Sequence, residues 1–181
     1  TQLPRNSKFS VAFIQPDITL DVLKQIASTA GVVLRIIQGE EDYLRDRLAN
    51  PEARPYYAYF PNKVFKIDFR DFVTKHLFSM HHGSCPALIK KFQSFQLENG
   101  GHRAHLLEVV MAMLTHFKLK GKLKFWEGST PTIMCQSYDP EGDFWLLTCG
   151  KTEIVFEKIQ DGSSARETEG ILWNSEEYAA N

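Results

Sequence analysis

The apolar pattern predicts an α+β protein, because helix-period and strand-period stretches occupy largely separate parts of the chain. Three observations carry this. A strand, a helix and a second strand follow one another in the first 37 residues. Two helical patterns occupy the middle. After Phe117 the apolar period changes from about 3.6 to 2, and a four-strand antiparallel meander is expected.

Residues 8–14 (KFSVAFI) alternate polar and apolar side chains, as a half-buried strand does. Pro16 and Asp17 then open a helix, with Asp17 as the expected cap and Ile18, Leu20, Leu23, Ile26 and Ala27 on one face. Gly31 is placed to end it, and 32–37 (VVLRII) reads as a buried β-branched strand. The three elements form a β-α-β half, with a right-handed crossover if the strands are parallel.

Glu40, Glu41 and Asp42 load the first turn of a further helix that Asn50-Pro51 stops. Residues 56–60 and 63–69 read as a hairpin or as two short strands, and 71–80 returns to a helical pattern. Pro86 opens a helix to about Phe95, with Leu88, Ile89 and Phe92 inward. Asn99-Gly100-Gly101 is a turn. Residues 102–117 form the longest helix, and its wide apolar set (Leu106, Leu107, Val109, Val110, Met113, Leu114) marks it as central and largely buried. The meander is expected at 122–126, 132–138, 143–149 and 153–159. Residues 1–160 are read as one α+β domain, or as two closely joined halves, 1–80 and 81–160. Residues 161–181 are read as a polar, partly flexible segment from which Ile171, Leu172 and Trp173 dock back.

The chain has 181 residues, 43% hydrophobic and 24% charged, and a net charge of −1. Those values exclude a disordered tail and a uniformly basic nucleic-acid binder. No apolar run reaches the roughly 18 residues of a membrane span, so no transmembrane segment is expected. Near-neutrality conceals an asymmetry. Residues 1–85 hold 11 basic and 9 acidic side chains, 86–124 hold 7 and 2, and 125–181 hold 3 and 11, or +2, +5 and −8. Cys85, Cys135 and Cys149 are too few and too odd in number for a disulfide scaffold, which points to an intracellular, reducing compartment, cytoplasm or nucleus. The start Thr1-Gln2-Leu3-Pro4 suggests a processed product or a domain of a larger protein.

Three clusters invite a chemical reading. In His81-His82-Gly83-Ser84-Cys85-Pro86 a cysteine opens a helix, where orphan N–H groups and nearby histidines favour the thiolate. Gly83-Ser84-Cys85 resembles the nucleophile helix of papain-like and ovarian-tumour-type thiol hydrolases. That resemblance implies Cys85 as nucleophile with His82 as the neighbouring candidate. Those families take their base from a late strand, and no histidine follows His116. Most cysteines act as small buried hydrophobes.

His82 with Cys85, and His102 with His105, form two short-spaced pairs reminiscent of zinc knuckles, although structural zinc favours at least two thiolates. Lys118, Lys120, Lys122 and Lys124 alternate with apolar residues. On a strand they share one face, as a phosphate-tracking ridge with Phe125 or Trp126 for stacking, or as lysines guarding a sheet edge. Phosphate loops, nucleophile elbows, His-Glu-x-x-His and dinucleotide fingerprints do not occur, and no cofactor is expected.

By elimination the expected function is a non-enzymatic intracellular or viral protein-interaction or assembly domain. Its partner is a protein or a second copy of itself. The alternatives are a thiol hydrolase using Cys85, and binding of RNA or another polyanion by the lysine ridge.

Overall fold

The computed structural model describes residues 10–14, 19–37, 41–42, 45, 64–70, 93–126, 133–136, 144–158 and 170–174, some of them by backbone alone. Within these the protein is α+β, as the sequence predicts. Eight strands form a single sheet: β1 Ser10–Ile14, β2 Val33–Ile36, β3 Val64–Arg70, β4 His102–Arg103, β5 Ile133–Gln136, β6 Phe144–Cys149, β7 Glu153–Lys158 and β8 Ile171–Asn174. Across the sheet the order is β1-β3-β8-β5-β6-β7-β2, with β4 also paired to β8. The β8–β5 and β7–β2 neighbours are parallel and the other pairs antiparallel.

The helix α1, Leu20–Thr29, follows β1, and β2 follows it. Thr19, not Asp17, caps α1: the Val22 N–H donates to Thr19 Oγ1 at 3.3 Å. Leu20, Leu23 and Ala27 are buried with Ile26 packed beside them, and Gly31 turns the chain at φ +81. The strand–helix–strand order is therefore present, but β1 and β2 do not pair. They run parallel at opposite edges of the sheet, and β2 joins β7 instead. Nor is β2 buried on both faces. Leu34 and Ile36 face the core, beside the described helix α1, while Val33 is 60% exposed.

The long helix α2 runs Leu106–Lys120, starting four residues later and ending three later than the apolar pattern suggests. His102 and Arg103 pair with β8 instead, and His105 caps the helix, its backbone N–H donating to the Glu108 carboxylate at 3.1 Å. Gly121 closes the helix at φ +72, its N–H reaching the Phe117 carbonyl at 2.8 Å. As expected for a central element, residues 106–110 and 112–114 are buried. The helix lies against α1, β1, β3 and β5. Its apolar side forms one core with Leu34, Ile36, Ile67, Trp145, Leu147, Ile154, Phe156 and Leu172 from the sheet.

Three of the four expected meander strands form: β5, β6 and β7 are successive antiparallel neighbours. Residues 122–126 are irregular backbone, because α2 runs through Lys120 and Gly121 reverses the chain before an extended segment can begin.

The largest departure is β8. Residues 171–174 do more than dock. They lie between β3 and β5, every residue buried, so the sheet extends past residue 160 and is shared by both proposed halves. A four-residue run without alternation is what a strand buried on both faces requires. Trp173 points away from the α2 face, donates from Nε1 to the Gly100 carbonyl at 3.0 Å, and meets the Phe95 ring edge-on at 4.8 Å. Phe95 belongs to the described helical stretch 93–99, and Gly100 and Gly101 follow at φ +69; the helix expected from Pro86 otherwise lies outside the described residues.

Candidate anion-binding groove

The described site that gathers charge lies where α2 ends. Its last turn holds Lys118 and Lys120, cations that complement the carbonyl end of a helix. The reversal at Gly121 carries Lys122 and Lys124 along an irregular segment, and the turn between β6 and β7 adds Lys151. Together with His116 and Phe117 these elements enclose an open groove of about 1370 Å³. Its wall of Gly150, Lys151 and Thr152 is held to the start of β2 by the Val33 N–H to Thr152 carbonyl bond at 2.9 Å.

No acidic side chain lines the groove among the described residues. Glu153, the first residue after the groove-lining turn, pairs with Arg35 at 3.1 Å. Described ion pairs gather elsewhere: Arg45 reaches Asp21, Glu41 and Asp42, and Lys24 reaches Glu41. Of the acidic last third, the described acids Glu153 and Glu157 do not line this groove.

The groove floor is apolar and largely buried. Leu123, Phe125 and Trp126 are buried, Phe125 meets Trp126 edge-on at 5.2 Å, and Trp126 stacks on Phe69 of β3 at 6.0 Å. Lys124 Nζ lies 5.6 Å from the Trp126 ring centroid. His116 Nδ1 donates to the Lys122 carbonyl, tying the irregular segment to the helix. The four lysines are therefore not a strand-borne ridge. Two stand on a helix end and two on the segment after it, and the rings expected to stack on bases are inside the protein.

Cys149 closes the floor. Burial pushes its thiol up to about 11, and the charge of Lys124 offsets part of that shift. The thiolate then forms only well above neutral pH. In a Cys85→Ser, Cys135→Ser background, alkylation of Cys149 by iodoacetamide near pH 8 is expected about two orders of magnitude slower than that of an ordinary thiol. Its rate should rise about tenfold per pH unit from pH 7 to 9.5. A plateau near pH 8.5 would show an unburied thiol.

Of the other sequence candidates, Cys85 and His82 lie outside the described residues, and His102 is described by backbone alone, in β4. His105 is 2% exposed at the start of α2, bonded into the helix cap. It stands a full helix length from the lysine groove. Among the described residues no group of three or more His, Cys, Asp or Glu side chains could hold a metal ion. No described helix is long and apolar enough to cross a membrane. Lys151 was missed by sequence reasoning because it lies 27 positions after Lys124, and only the β6–β7 turn brings it to the groove. No family model, curated protein or solved structure matches the chain.

Proposed function

We propose that the protein is a non-enzymatic binding domain that engages an anionic partner through this groove. The observation that carries the reading is the convergence of Lys120, Lys122, Lys124 and Lys151 on one open groove without an acid among its described lining. Like charges gathered on one surface raise the local potential even when net charge is near zero, and they attract polyanions at rates and affinities that fall with salt. Four lysines without an arginine supply point charges instead of bidentate forks, which suits tolerant charge recognition.

The test uses inorganic polyphosphate as probe and the full chain, with Lys118, Lys120, Lys122 and Lys124 replaced by Gln. Lys118, Lys120 and Lys122 are exposed or groove-lining and make no ion pair with a described residue, so the melting temperature should stay within a few degrees. The slope of log affinity against log salt should flatten by about 0.7 for each lysine that contacts the chain. Unchanged affinity and slope would refute the reading.

A further inference from the structure

Resting on the anion-binding reading, we infer that the partner is an anionic lipid surface, with Leu119 entering its headgroup region. Leu119 is 71% exposed, the second most exposed large apolar side chain described, and it stands between Lys118 and Lys120 in the last turn of α2. A leucine held out in water at a helix tip serves no core. The lysines on either side of it in the last turn, Lys118 and Lys120, would make a poor contact for an apolar protein surface, because each ammonium would have to give up its water. At a bilayer interface both demands are met together. The leucine passes into the acyl boundary, and the lysines lay their stems along it while their ammonium groups stay among the phosphates.

The other anionic partners fit less well. Single-stranded nucleic acid gains much of its affinity from bases stacked on exposed rings. Here Phe125 and Trp126 are each 3% exposed, and Phe69 already occupies a face of Trp126. Headgroups are mobile and need no fixed donor geometry, which matches lysines spread over a helix end, an irregular segment and a turn. The uncharged neighbours extend the same end of the molecule. Gly31 and Val33 at the start of β2 and Gly150 and Thr152 beside Lys151 are exposed. Among the described residues the one acid beside them, Glu153, is paired with Arg35.

The experiment is vesicle co-sedimentation of the full chain at about 0.1 M salt. Phosphatidylcholine vesicles containing about 30% phosphatidylserine are compared with phosphatidylcholine alone, and soluble polyphosphate binding is measured in parallel. Binding to the anionic vesicles and none to neutral ones is expected. Leu119→Ser should lower partitioning about five- to tenfold while leaving polyphosphate binding unchanged. Each Lys→Gln change should cost about fivefold on vesicles. Polyphosphate binding without vesicle binding overturns the lipid inference and leaves the groove reading standing. Vesicle binding that ignores Leu119→Ser also overturns it, as does tighter binding to poly(U) RNA than to the vesicles. Failure of both probes overturns the two readings together.

Discussion

Replacing Asp68 with Ala is expected to lower the unfolding free energy by about 3–5 kcal/mol, a large share of the stability of a marginally stable domain. Asp68 and Arg70 sit two residues apart on β3 and so share a face of the sheet. Both are buried, and the guanidinium grips the carboxylate with two bonds, Nε to Oδ1 at 2.6 Å and Nη2 to Oδ2 at 3.2 Å. Arg70 Nη1 has no hydrogen-bond partner, so the carboxylate is the main compensation for a charge removed from water. Removing Asp68 leaves that charge buried, which is far more costly than losing an exposed ion pair. The double variant Asp68→Leu, Arg70→Met removes both charges and should recover most of the loss. Urea unfolding of the two variants decides the matter. A single-variant loss below about 1 kcal/mol would mean that water reaches the pair.

Gly170→Ala is expected to destabilise by about 2–3 kcal/mol, for a purely steric reason. A Cβ at this position would stand 2.3 Å from the Arg70 carbonyl oxygen and 2.7 Å from Phe69 Cζ. The oxygen cannot retreat without pulling β3 off β8, since Arg70 pairs with Ile171 and Phe69 with Leu172. The Phe69 ring is held in turn by its stacking on Trp126. Gly150→Ala is the internal control. Its nearest neighbour would be Glu153 Cβ at 3.8 Å, an ordinary contact, and a change within about 0.5 kcal/mol is expected. Thermal unfolding of the two variants should therefore differ clearly. Equal melting temperatures would refute the close approach at Gly170.

The parts of the fold legible in the sequence are those set by local periodicity. Leu20, Leu23 and Ala27 declare the inner face of α1, the apolar set from Leu106 to Leu114 declares a buried helix, and β6 and β7 follow the alternating stretches that announce them. What local pattern does not encode is which strand finds which neighbour. The succession β1, α1, β2 suggests a compact crossover, yet the two strands end at opposite edges because β3 and β7 are their better partners. The run at 122–126 has the alternation of a strand but follows a helix that ends only at Lys120 and a glycine at φ +72, so its backbone has no sheet to join. The site was half visible. The lysines and their spacing are in the sequence, whereas the burial of Phe125 and Trp126, the exposure of Leu119 and the arrival of Lys151 depend on packing between distant segments.

The place of β8 bears on how the chain acquires its structure. The last of the eight described strands in chain order fills a slot in the middle of the sheet, between partners made about 100 and 35 residues earlier. Until residues 170–174 leave the ribosome, β3 and β5 present open edges to other chains, and the β1–β3 pair has no strand joining it to β5, β6 and β7. Assembly is therefore expected to finish late and slowly, since its decisive pairings span long loops. A stop codon placed anywhere before Gly170 should yield aggregates, not a smaller folded protein.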